Sequence, residues 1–162
     1  MANRILVSVD ENTACPEWLN LIEGFVDNVL KELEYDDEEI SIMFCDDRCI
    51  QELNSTYRKI DSATDVLSFE NGLEYTDEEG NKWFSAGDIA ISLDMLKQNA
   101  QYFEVSENEE LKRLLIHGVL HLNGYDHGEE HVEKGVEPES EMLKIQKRLM
   151  EKFSDIILIA GK

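Results

Sequence analysis

The chain has four histidines, and all of them fall between positions 117 and 131 of its 162 residues. His117 and His121 are four apart within an apolar helical pattern, so both rings leave one helix face and can meet a single ion. Gly124 follows three residues on, where a left-handed backbone ends a helix and turns the chain. That turn can bring His127 to the same ion. Three neutral nitrogen ligands leave a coordination position open, the arrangement of a catalytic and not a closed structural site. Nitrogen ligands suggest Zn2+ first, with Ni2+ or Co2+ also suited. His131 follows Glu129 and Glu130 and reads as a solvated side chain, with a fourth ligand as the other reading. The competing account is three unrelated histidines, which their clustering beside a helix-ending glycine opposes.

The spacing matches the zinc-endopeptidase pattern H-E-x-x-H-x-x-G-x-x-H at every place but one. Gly118 stands where that pattern has its glutamate base. Without that carboxylate, hydrolysis of an amide by the protease route lacks its proton acceptor.

The elements that must position these rings follow from hydrophobic periodicity. Glu107 to Leu122 is a helix, with Leu111, Leu114, Leu115 and Val119 on its apolar face and acids at its N-terminus. Earlier helices are predicted over 16–34, from Asp46 and Asp47 to about Tyr57, and over Leu93–Phe103. A last one spans Glu139–Phe153, after a polar stretch to Pro138. Strands are predicted at Arg4–Val9, Glu39–Phe44, Thr64–Phe69 and Asp88–Ser92. Residues 70–82 carry five acids and two glycines and read as an acidic loop or hairpin insertion. The apolar tail Ile156–Ala160 must pack as a strand or a docked end. Strands and helices mix without strict alternation, which predicts an α+β domain: a small mixed sheet covered by helices, with the metal site at the end of a helix.

Composition narrows the class. Apolar residues at 42% and charged residues at 31% describe one globular domain. Fifteen basic against thirty-six acidic residues give a net charge of −21, which repels phosphate backbones and anionic membranes and counts against a protein that simply coats nucleic acid. Three cysteines, no signal-like start and no apolar run of membrane length point to a cytoplasmic protein without a membrane role. Cys45 and Cys49 flank a strand-to-helix boundary and read as small buried hydrophobes.

The run His117-Gly-x-Leu-His121-Leu-x-Gly124-Tyr125-Asp126-His127 resembles the signature of the YbeY family of bacterial metal-dependent endoribonucleases and rRNA maturation factors. Leu53-Asn54, Tyr57-Arg58 and Thr64–Phe69 resemble the family's upstream block, and Gly87–Ser92 its following strand. Two departures stand out: Glu70 occupies the place of an expected proline, and the 70–82 insertion is longer than usual. The resemblance implies a zincin-like fold, one Zn2+ held by His117, His121 and His127, and cleavage of single-stranded RNA. It also implies work on the 3′ end of 16S rRNA and in late ribosome quality control. Ribosomal RNA, the small ribosomal subunit and a small-subunit protein are the expected partners.

In that chemistry the ion either acidifies a water or polarises a phosphate oxygen while the RNA 2′-OH attacks. Negative charge grows on the phosphate, and Arg58 is the candidate catalytic guanidinium to hold it, with Lys59 a weaker phosphate contact. Asp126 beside His127, and Asp65 and Asp88 at strand starts, are candidates to orient a ligand or to serve only as structural hydrogen-bonding groups. Thr64 and Ser68 have weaker claims. Arg58, Lys59, Lys97, Lys112 and Arg113 would together line a locally positive cleft in an acidic shell. Alternatives are a non-catalytic ribosome-assembly factor stabilised by metal, and a metal-dependent hydrolase of another substrate.

Overall fold

A computed structural model describes residues 3–125 and 140–160. Its elements run β1 (Arg4–Val9), a 3-10 turn (Leu19–Leu21), α1 (Ile22–Glu32), β2 (Glu38–Cys45), α2 (Asp47–Arg58), β3 (Val66–Thr76), β4 (Lys82–Ser92), α3 (Leu93–Phe103), α4 (Glu107–Leu122) and α5 (Glu141–Lys152). The strands form one mixed sheet in the order β1-β2-β4-β3. β1, β2 and β4 are parallel, and β3 returns antiparallel along β4 as an edge strand. This is the expected α+β architecture.

Alternation along β2 decides which side is which. Ile40, Ile42 and Phe44 point into the main core, where they meet Phe25 and Val29 of α1 and Leu115 and Val119 of α4. Cys45 faces the other way, into a smaller cluster with Ile50 of α2, Leu67 and Ala90. Helices therefore cover both faces. Cys45 and Cys49 are free thiols, and burial in this small cluster pushes the Cys45 thiol up.

Most predicted boundaries hold, and the departures have physical causes. The helix expected over 16–34 opens as a 3-10 turn, because Leu19 and Leu21 bond back three residues to Pro16 and Trp18. The Trp18 ring stands edge-on to Phe44 at 5.1 Å, which anchors that entry. The 70–82 segment is a hairpin continuous with β3 and β4, extending both well beyond their predicted ends. Asp77 closes it: its carboxylate accepts from the N–H groups of Glu79 and Asn81 and from the Trp83 indole, each at 2.9 Å, and these bonds hold it below the usual carboxylate range. The tail is docked and not a strand. Asn108 of α4 accepts from Leu158 and Ile159 N–H at 2.6 and 3.1 Å and donates to Ile156 C=O at 3.1 Å.

Lys112 and Arg113 do not line a positive cleft. Lys112 is fully buried and donates to Phe153 C=O at 2.9 Å, satisfying an orphan carbonyl at the end of α5, with Glu109 at 3.0 Å. Arg113 grips the buried Glu110 through two bonds of 2.7 and 2.6 Å. Asn99 of α3 donates to both Glu110 and Asp65, at 3.0 and 2.8 Å, so this network ties α3, α4 and the start of β3 together.

Gly87 sits at an irregularity in the pairing of β4 with both neighbours. Its φ is +144°, and a Cβ there would lie 2.0 Å from Phe69 C=O. Gly87→Ala should therefore part β3 from β4 and lower stability by about 2–4 kcal/mol, read as a fall in the urea midpoint of the purified variant.

Candidate active site at the end of the fourth helix

Ser106 starts α4 by accepting from Glu109 N–H at 3.1 Å, and three acids sit in its first turn. The helix ends in a Schellman turn: Gly124 at φ +88° donates to His121 C=O and Tyr125 to Leu120 C=O, at 3.2 and 3.1 Å. Between these ends the helix lies hard against β4. A Cβ at position 118 would come within 2.8 Å of Ile89 Cδ1. Position 118 thus faces the sheet, so a glutamate there would be driven into packed hydrocarbon.

With position 118 against the sheet, His117 and His121 fall together on one flank of the helix, about 100° and 60° round from it. Their Nε2 atoms converge at 3.1 Å. Two nitrogens each about 2.0–2.1 Å from one tetrahedral ion would lie roughly 3.3 Å apart, so the pair fits a shared cation. His117 Nδ1 lies 2.9 Å from Gln146 Oε1 on α5. A carbonyl oxygen only accepts, so Nδ1 carries the proton and the Nε2 lone pair is left for a ligand. The negative end of the α4 dipole adds to the attraction for a cation. Among the described residues no third His, Cys, Asp or Glu joins the pair. His127, Asp126 and His131 lie outside the described residues.

The rings open onto a cleft of about 730 Å3 between α4 and the edge of β3. His117, His121 and Tyr125 line it from one side, and Arg58, Ser68 and Glu70 from the other. Arg58 is the last residue of α2, exposed, donating to Ser68 C=O with its guanidinium 5.7 Å from the centre of the Phe69 ring. Asn54 holds the turn that follows: it is buried, its side-chain amide donates to Ser62 C=O at 2.9 Å, and its backbone C=O accepts from Ile60 N–H at 3.2 Å.

The other candidates lie elsewhere. Lys59 is the left-handed cap of α2 and does not line the cleft, nor does the exposed Lys97. Asp65 is a structural tie, accepting from Val66 N–H and Asn99 at 2.8 Å each. Asp88 is exposed on the face of β4 that carries Ala90, opposite the one Ile89 presents to α4. Among the described residues that line the cleft, Arg58 is the one basic side chain and Glu70 the one acid.

Comparison with known proteins gives this geometry a family. A family model described as endoribonuclease YbeY matches residues 7–154. The chain belongs to the YbeY family. It is 49% identical over 156 residues to a protein named endoribonuclease YbeY from Treponema denticola, covering 96% of this chain and 97% of that one. It is 38% identical to the protein of that name from Aquifex aeolicus, covering 94% and 93%. The solution structure of TM1509 from Thermotoga maritima superposes with a TM-score of 0.61 at 26% identity, covering 93% of this chain and 90% of that one.

Gln146 and Glu38 are site neighbours that sequence patterns passed over. Gln146 shares the buried face of α5 with Met142 and Leu149, a polar residue in an apolar stripe. Glu38 opens β2 in phase with Ile40, is 3% exposed, and accepts from Asn123 at 3.3 Å just after the His121 turn. Burial pushes its carboxyl up to about 7, against a smaller opposite effect of the Asn123 amide. A carboxyl whose folded value is raised costs nothing below its unfolded value; it lowers stability as pH climbs from about 4.5 to 7, and the loss then stays constant. Glu38→Gln should therefore gain on the wild type between pH 4 and pH 8, by up to about 3 kcal/mol, in paired melting curves.

Proposed function

We propose that this YbeY-family chain is a single-strand-specific metallo-endoribonuclease that matures the 3′ end of 16S rRNA and serves late ribosome quality control in the cytoplasm. The convergence of His117 and His121 across one cleft from Arg58 carries this reading. The name endoribonuclease borne by relatives over nearly the full chain supports it. No helix among the described residues is long and apolar enough to cross a membrane.

His117 and His121, with His127 as the third ligand, would hold one divalent cation, Zn2+ first and Ni2+ or Co2+ as other occupants. Such an ion, when bound, supplies Lewis acidity toward a phosphate oxygen. The chain's own groups do the rest. Gln146 keeps the His117 ring in one tautomer and orientation. Arg58 is already oriented by Ser68 C=O and the Phe69 face, so its remaining N–H groups can meet the phosphate without reordering. Position 118 offers no carboxylate, which disfavours an amide substrate. A single lining guanidinium inside a chain of net charge −21 makes for weak binding of naked RNA. Useful affinity then comes from the small ribosomal subunit, with a ribosomal protein sharing the contact.

The test joins metal analysis of the purified protein to cleavage of a single-stranded RNA oligonucleotide with and without chelator. Chelation and His121→Ala should each abolish cleavage, and Arg58→Ala should lower kcat/KM roughly 100- to 1,000-fold with metal retained. Cleavage that survives both substitutions would mark a contaminating nuclease and remove the proposal. Gln146→Ala should weaken metal binding about 10- to 100-fold in chelator competition, with the fold intact by circular dichroism.

A further inference from the structure

β3 is an edge strand, so half of its backbone groups face away from any partner strand. Ser92 N–H donates to Asp65 C=O at 2.9 Å, which makes residues 65 and 92 a bonded pair. Alternation along the antiparallel ladder then puts Leu67 and Phe69 in bonded pairs with Ala90 and Asp88. It aims the N–H and C=O groups of Val66, Ser68 and Glu70 off the edge. Two contacts agree: Asp65 takes the Val66 N–H, and Arg58 takes the Ser68 C=O.

A proline at position 70 would therefore lose no ladder bond, because proline suits an edge position whose N–H points outward. This chain carries glutamate there. Glu70 lies opposite Gly87 and Ser68 opposite Ile89, so both share the sheet face that β4 turns toward α4. Glu70 is exposed and lines the cleft two residues from the carbonyl that anchors Arg58.

An ionised carboxylate repels phosphate and can only accept hydrogen bonds. What a nucleotide offers an acceptor is a ribose hydroxyl, an exocyclic amino group or the ring N–H of guanine or uracil. We propose that Glu70 is a specificity-determining residue, accepting a hydrogen bond from a neutral donor on the nucleotide beside the phosphate that Arg58 holds. This rests on the endoribonuclease reading of the cleft. Repulsion lowers affinity for any polyanion, and the donor contact restores it only for a strand that presents the right group.

The experiment measures binding of short single-stranded RNA to the metal-loaded protein and to Glu70→Ala and Glu70→Pro. One set of oligonucleotides carries a single 2′-deoxy or 2′-O-methyl nucleotide at successive positions. A second replaces guanosine by inosine, which removes an amino group, cytidine by uridine, which exchanges one for a carbonyl, or guanosine and uridine by their N1- and N3-methyl forms, which remove the ring N–H. The wild type should lose about tenfold in affinity at one position in one set, which separates a sugar donor from a base donor. Both variants should respond to that same change by no more than about twofold. If all three proteins respond alike, or if the variants bind every oligonucleotide tighter by one common factor, Glu70 is only a repulsive charge and the proposal falls. A wild type that neither binds nor cleaves RNA would instead defeat the endoribonuclease reading itself.

Discussion

The close approach of α4 to β4 at Gly118 determines where the chemistry lies. Because the helix backbone rests on the Ile89 side chain with no Cβ between them, the turn bearing His117 and His121 is held at a fixed height and rotation. One step along the helix is 100°, so the face pressed on the sheet and the face that carries the rings are set together. Gln146 from α5 then locks one ring, and the Schellman turn at Gly124 ends the helix one residue after its cap. The glycine that excludes a protease base is thus also what brings the imidazole pair to the cleft.

Much of this was legible in the sequence because it is local. The fourth helix follows from the acids at its start, from unbroken apolar periodicity and from Gly124 at its end, while the capping bonds of Ser92 and Ser106 emerge only in the structure. The histidine pair follows from a spacing of four. What escaped depends on partners distant in sequence. Gln146 and Glu38 are polar residues in phase with apolar stripes, and a stripe does not reveal that one member meets an imidazole or an asparagine. Lys112 and Arg113 looked like a basic patch because charge along the chain says nothing of burial; one ends inside the protein on the α5 carbonyls. The acidic 70–82 segment was ambiguous because its stability comes from Asp77 and from pairing across to β4.

Electrostatics divides the molecule into two scales. At the scale of the whole surface the chain is an anion, and long-range steering works against a polyanionic substrate. Among the described residues that line the cleft, one guanidinium and one carboxylate face the imidazoles, so recognition by these groups is a matter of short contacts. Such a site gains little from ionic attraction and much from exact placement of substrate groups.

The exposed border of the sheet has one more consequence. An eleven-residue edge strand with outward N–H and C=O groups is a template onto which a second copy of the same strand could zip. Glu70 and Glu74 lie along that border, with Glu78 and Glu79 at the hairpin tip, so an incoming twin would bring matching negative charges into register. The charge that is ill-suited to an RNA cleft therefore also disfavours edge-to-edge pairing of two copies, and it lets the border stay open without being capped by another strand.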